Sequence, residues 1–298
     1  MTNTNASSIP LKNTHQFLDV NGFRVHYQRV GSGSTLILLL HGSFLSLRSW
    51  RHVLTKLSND ATVVAIDRPV CGFTSRPIPK SNGAALYSAE AQSDLIAALI
   101  EQLGFERAIL IGHSTGGTVA LLTALRHSNR VQALVLVGAM IYSGYATSQL
   151  PMPVQRMMTT LKPLFVKLMR VMIQRLYTKA LRALWHHQER FTDDDIAAYR
   201  ADFMIDSWDR AFFESFLATH RLNLDARLSE LMQPVLVVSG EQDRAVKLVE
   251  SQRLANELPN AKLVVISDCG HIPHEETPDA FLAAVNAFLQ QQIDSNSQ

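Results

Sequence analysis

The pentapeptide Gly112-His113-Ser114-Thr115-Gly116 constrains this chain more than any other stretch. Residues 108–111 before it form a short apolar run, as a strand buried on both faces would. Residues 118–125 after it are rich in Ala and Leu and read as helix. Serine between two glycines at such a strand-to-helix turn marks a bend sharp enough to strain the Ser114 backbone. Side chains at 112 and 116 would collide with neighbouring chain, so both positions call for glycine. The bend lifts the Ser114 hydroxyl clear of the backbone. It also turns the Thr115 amide, at a helix N-terminus, toward the point where a substrate oxygen would become negative. A glycine-rich turn with a spare serine is the plainer reading, and the flanking strand and helix argue against it.

The rest of the chain supplies the sheet that such a turn needs. Residues 17–20, Asn21-Gly22 and residues 23–30 read as a hairpin on a tight turn. Apolar strands are expected at 35–40, 62–66, 133–137, 234–239 and 262–266. Helices are expected at 50–57, from a cap at Ser88 to Gly104, at 248–258 and at 278–291. Repeated β-α units imply an α/β fold with a mostly parallel central sheet and helices on both faces. Residues 144–228 carry no convincing strand and are expected to be an inserted helical cap at the carboxyl edge of the sheet. The core is then 15–143 with 229–298, and residues 1–14 are a loose polar tail without the character of a signal peptide. Among 298 residues the net charge is only +2, which argues against nucleic acid as a partner. Two cysteines make no disulfide framework and fit a reducing, cytoplasmic setting. No apolar run approaches the ~20 residues that span a bilayer.

A serine hydroxyl is a poor nucleophile near neutral pH and needs a base, which in turn needs an orienting partner. Asp243 follows the strand at 234–239, and His271 follows the strand at 262–266. Each candidate, like Ser114, sits just beyond the carboxyl end of a strand, so a parallel sheet brings all three to one rim. Singly, Asp243 reads as a loop aspartate and His271 as a surface histidine. Jointly, the order Ser, Asp, His and the three strand ends specify nucleophilic catalysis.

With these residues in view, the chain resembles the α/β-hydrolase fold superfamily, in the branch of cap-bearing esterases and C–C hydrolases. The resemblance rests on His41-Gly42-Ser43-Phe44 with Trp50, on Asp67-Arg68-Pro69 through Pro77, on Gly112 to Gly117, on Gly240 to Asp243, and on Gly270-His271 through Phe281. It implies an oxyanion hole from the amides of Ser43 and Thr115, a structural role for His41, and a packing role for His113 beside the nucleophile. Phe44, His113, Met140, Met172 and Ile272 are expected around the substrate. Serine at 114 argues against the dehalogenase and epoxide-hydrolase relatives, which use aspartate there. Val70 stands where relatives often have glycine, and Cys269 reads as packing. Ser-Thr-Gly-Gly in place of Ser-Met-Gly-Gly ranks C–C cleavage second.

The expected activity is therefore cofactor-free, metal-free hydrolysis of a small to medium apolar carboxylic ester. The alternatives are C–C hydrolysis of an aromatic ring-cleavage product, and ligand binding with little turnover. The substrate is a small apolar ester or ketone. In the insertion, no acidic residue occurs between Gly144 and Gln188, while lysines and arginines recur. A helix at 164–185 is expected to turn Leu168, Met172, Leu176 and Leu184 toward the active site and a basic face to solvent. A sharper reading has this basic helix making weak contact with a membrane surface. Thr192 reads as the cap of a further helix opened by Asp193-Asp194-Asp195, rather than those acids as a metal site.

Overall fold

The computed structural model describes residues 15–58, 60–79, 86–142 and 150–294. The loose tail expected over 1–14, and the exact start of the insertion near 144, lie outside the described residues. Eight strands form one sheet in the order β1-β2-β4-β3-β5-β6-β7-β8. They are β1 (Gln16–Val20), β2 (Phe23–Val30), β3 (Thr35–Leu40), β4 (Ala61–Ile66), β5 (Ala108–His113), β6 (Val131–Val137), β7 (Val235–Gly240) and β8 (Ala261–Ile266). The first two pair antiparallel across Asn21 and Gly22, both at positive φ (48° and 82°), as a two-residue turn of that kind requires. β2 meets β4 antiparallel, and every pair from β4 to β8 is parallel.

Strands β3 to β7 are buried from end to end. Their alternate side chains enter two different cores, because successive residues point to opposite faces. Leu36, Leu38, Leu110 and Leu136 pack on one side with α1 (Ala89–Gln102), α2 (Thr115–Arg126) and α7 (Leu248–Glu257). Ile37, Leu39, Ile111 and Val135 pack on the other with Trp50, Leu54 and the last helix. Ser88 caps α1 by accepting from the Ala91 amide at 3.1 Å. The helix expected at 50–57 is a short 3-10 turn at Leu47–Trp50 followed by isolated helical turns, Leu54 to Trp50 and Leu57 to Val53. Asp67 fixes its start by accepting from the Leu47 amide at 2.8 Å.

Between β6 and β7 lie four helices and no strand among the described residues: α3 (Met152–Thr160), α4 (Lys162–Arg182), α5 (Asp193–Phe203) and α6 (Trp208–Ala218). Thr192 and Asp195 close a reciprocal capping box at the start of α5. α4 corrects the sequence expectation. Leu168, Met172 and Leu176 are largely exposed, and the buried stripe is Met169, Ile173, Tyr177 and Leu181, one residue further round. Apolar side chains occupy both stripes, so spacing does not choose between them; the aromatic cluster of Phe203, Trp208 and Phe213 does. Two more helices, α8 (Pro273–Glu276) and α9 (Pro278–Asp294), follow β8. Among the described residues no helix is long and apolar enough to cross a membrane.

Candidate active site

Strand order reverses on either side of β3, since β4 lies on one side and β5 on the other. In open α/β sheets, ligands bind beyond the carboxyl ends of strands at such a switch point. Ser114 stands there, between β5 and α2, at φ 53° and ψ −120°. Backbone angles of this kind cost roughly 1–3 kcal/mol and persist only where the surroundings enforce them. Here the Ser114 amide donates to the Val137 carbonyl at 2.9 Å, and its carbonyl accepts from the amides of Gly117 and Thr118. A Cβ on Gly112 would lie 2.5 Å from the Gly116 carbonyl oxygen, and one on Gly116 would strike the Leu40 carbonyl. Both glycines are thus sterically required, as the sequence implies. Ser114 is buried, and among the described residues its hydroxyl makes no hydrogen bond.

The loops after β7 and β8 carry the other two groups. Asp243 Oδ2 lies 2.8 Å from His271 Nδ1, and both side chains are buried. Asp243 Oδ1 accepts from the amides of Ala245 and Val246 at 2.8 and 2.9 Å. Two backbone donors and the imidazole thus hold the carboxylate in one orientation. A carboxylate against Nδ1 places the ring proton there and leaves Nε2 with its lone pair. Gly138 directly follows β6 at φ 48°, and a Cβ on it would lie 3.0 Å from His271 Nδ1 and 3.1 Å from Asp243 Oδ2. The acid–imidazole pair therefore packs directly over the end of β6, the strand whose last carbonyl holds Ser114. The three candidates converge on one strand end.

Two further histidines crowd His271. His113 gives Nε2 to the His271 carbonyl at 2.9 Å, and its buried Nδ1 has no partner among the described residues. His274 stacks on Trp50 at 4.0 Å between ring centres, and both its nitrogens are buried without partners among the described residues. Burial, and then the neighbouring His271, hold both imidazoles well below the usual histidine pKa. Burial beside Arg68 lowers His41 to about 4. Its Nδ1 donates to the Gly42 carbonyl at 2.7 Å, and its Nε2 accepts from the Arg68 amide at 3.0 Å. Both nitrogens serve the turn, which is a structural arrangement.

Ser43 and Thr115 are brought together, their hydroxyls 3.0 Å apart. Arg68 donates to the Thr115 hydroxyl at 3.1 Å and to the His41 carbonyl at 2.8 Å. Among the described residues, the Ser43 and Thr115 amides have no hydrogen-bond acceptor. Phe44 and Val70 beside them sit at φ 64° and 84°. For β-branched Val70 this is a strained conformation, one that suits the glycine relatives often carry there.

Of the five expected substrate contacts, Phe44 and Met172 line one apolar cavity of about 310 Å³, together with Ile173, Tyr177 and Leu184. The Tyr177 hydroxyl donates to the Phe44 carbonyl at 2.8 Å and fixes its floor. His113 and Ile272 are buried and do not line that cavity. Met140 is held beside the elbow, its amide donating to the Ser114 carbonyl at 3.3 Å. Cys269 is buried, its thiol pushed up to about 12 chiefly by burial, so it is no nucleophile at neutral pH.

Glu276 has a role that sequence reasoning missed. Its carboxylate accepts from the Gly270 amide at 2.7 Å, the His187 amide at 2.7 Å and the His186 amide at 3.1 Å. The His271 amide donates to the Leu184 carbonyl at 2.7 Å. The loop that carries His271 is thereby tied to the chain just after α4. The available signal was an acidic pair so soon after the base, at positions that end up buried. Nearby, His186, His187 and Asp268 bring three possible metal ligands within 4.8 Å of one another. His187 Nε2 already lies 2.8 Å from Asp268, an exposed ion pair that explains the grouping.

The family model of the alpha/beta hydrolase fold matches residues 35–278. A 2-hydroxy-6-oxononadienedioate/2-hydroxy-6-oxononatrienedioate hydrolase of Cupriavidus pinatubonensis is 28% identical over 96% of this chain and 98% of its own length. A protein of the same description from Paraburkholderia phymatum is 31% identical over 90% of this chain and 91% of its own. The solved structure of a meta-cleavage product hydrolase from Pseudomonas fluorescens superposes with a TM-score of 0.72 at 24% identity, covering 93% of this chain and 97% of that one.

Proposed function

Because the chain belongs to the alpha/beta hydrolase fold family, we propose that it is a serine hydrolase whose nucleophile is Ser114. His271 is the base, Asp243 orients it, and the amides of Ser43 and Thr115 receive the oxyanion. The observation that carries this reading is the buried 2.8 Å contact of Asp243 with His271, packed on Gly138 at the strand end that holds Ser114. Nδ1 is engaged by the acid, so Nε2 is free to take a proton from the Ser114 hydroxyl.

The reaction placed first is cleavage of a C–C bond in a diketone-type product of aromatic ring opening. From the sequence, esters rank first; relatives named for 2-hydroxy-6-oxo acids, aligned over nine-tenths of the chain, reverse that order. In such a step Ser114 adds to the ketone carbon and His271 takes the hydroxyl proton. The oxyanion lies between the two amides. Its collapse breaks the neighbouring C–C bond, whose electron pair passes into the enol of the distal ketone, and His271 returns the proton there. Water then hydrolyses the acyl-serine by the same base. Losing one oxyanion donor costs roughly 3–4 kcal/mol in the transition state of such enzymes. Arg68, buried beside Thr115, puts a positive charge next to the pocket lined by Ser43, Gln92 and Ser215, which favours a substrate carrying an acid group.

Ester hydrolysis is the second reading, favoured by the apolar cavity on Phe44. Both use the same residues. In either case the two buried free thiols fit a reducing, cytoplasmic setting. The test compares a 2-hydroxy-6-oxo-dienoate with a nitrophenyl ester series, on wild type and Ser114→Ala. Faster, serine-dependent loss of the dienoate chromophore supports the first reading. Serine-dependent turnover of esters alone gives the second. No serine-dependent turnover of either overturns both.

A further inference from the structure

We propose that the outer face of α3 and α4 docks on an anionic lipid bilayer, independently of which bond the enzyme cleaves. Leu164 and Leu168 are each 61% exposed, and Met172 and Leu176 are close to half exposed. They recur at a spacing of four and form one stripe along α4. Leu161 and, on α3, Met152 and Met157 extend the exposed apolar surface. Contiguous exposed apolar surface of this extent marks an interaction site.

The charges around the stripe name the partner. No acidic residue occurs between Gly144 and Gln188. Three cations of α4 are paired within the insertion: Lys162 by Glu214, Arg170 by Asp209 and Arg182 by Asp193. Among the described residues Arg156, Lys167, Arg175 and Lys179 pair with no carboxylate. A second copy of the chain would bring these cations against their own kind. Anionic headgroups neutralise them, while their long stems lie over acyl chains with the charge at the headgroup level. α4 has 21 residues, so it is roughly 30 Å long. Its inner face is committed to the insertion, so it lies on the bilayer rather than through it.

The cavity gives the docking a purpose. Met172 and Leu176 belong both to the exposed stripe and to the cavity that ends at Phe44, next to Ser43. An apolar compound dissolved in the bilayer would meet this cavity through Met172 and Leu176.

The experiment is co-sedimentation of the full chain with phosphatidylcholine vesicles, with and without phosphatidylglycerol. Wild type is expected to sediment with the anionic vesicles, and less so as salt is raised. Leu164→Ser/Leu168→Ser, outside the cavity lining, lowers the partition about tenfold and leaves turnover of a soluble substrate unchanged. Lys167→Glu/Lys179→Glu lowers it by a similar factor. No partition of wild type onto anionic vesicles overturns the proposal, as does partition that neither double variant weakens. A concentration-dependent dimer that the leucine variant dissolves, without vesicle binding, assigns the face to a second copy instead.

Discussion

Helices α2 and α4 both carry large apolar side chains on nearly every turn, and they meet opposite fates. In α2 every residue from Thr115 to Ala124 is buried, because α1 flanks it and the sheet lies beneath it. In α4 only four residues are buried, and five large apolar side chains face outward. The first helix has neighbours on most of its circumference; the second rests on α5 and α6 along one side. Apolar content alone therefore does not say which face a helix hides. The packing partner decides, and a helix with apolar residues all round and partners on one side keeps a second surface for use.

The contrast can be broken or sharpened by measurement. The largest effect is at the site the buried helix supports. Asp243→Asn should lower kcat by about 10³–10⁴-fold, since the amide leaves His271 in the wrong tautomer. A change under tenfold in single-turnover assays would remove Asp243 from the mechanism. Next comes burial itself. Leu121→Ala on α2 should cost about 3–4 kcal/mol in denaturant unfolding, and Ile173→Ala on the inner face of α4 about 2–4 kcal/mol. Leu168→Ala on its outer face should stay within about 0.5 kcal/mol. Equal losses at Ile173 and Leu168 would erase the distinction.

Acid should then weaken the core around the elbow. His41 is lowered from 6.5 to about 4, and His113 and His274 are lowered too. A folded-state pKa below the unfolded one means that the unfolded chain takes up the proton first as pH falls. The stability from neutral burial is complete above about pH 6.5 and is lost toward pH 4, by roughly 3 kcal/mol for His41. His274→Phe keeps the ring against Trp50 and should make the pH dependence of unfolding shallower. An unchanged slope would refute this account. Smallest is Thr192→Ala, which removes the capping box of α5 at a cost of about 1 kcal/mol, read as a small drop in Tm.

The parts legible in the sequence are those where local chemistry has a single solution. Gly112 and Gly116 admit no side chain, and strands such as β3 are apolar along their whole length, so elbow and sheet follow directly. Asp243 and His271 stand out in the sequence because each follows a strand of that sheet, and the structure brings the two within 2.8 Å. The inner stripe of α4 was missed by one residue because two adjacent stripes are equally apolar. Glu276 was missed because its partners are backbone amides 89 and 90 residues away or in a sharp turn, which leave no mark on side-chain pattern. The turns after Trp50 read as helix because their apolar spacing is helical, although Asp67 pins the start in a tighter geometry.

The bond from the His271 amide to the Leu184 carbonyl, with Glu276 beside it, also limits how this enzyme can be rebuilt. The insertion is not a detachable module. A cap exchanged with a relative at the ends of its helices would arrive without the carbonyl and amides that hold the base loop. Chimaeras should retain Leu184 to His187 with the host's Glu276, and redesign of substrate choice should begin at the opposite, N-terminal half of α4, where no such graft is severed.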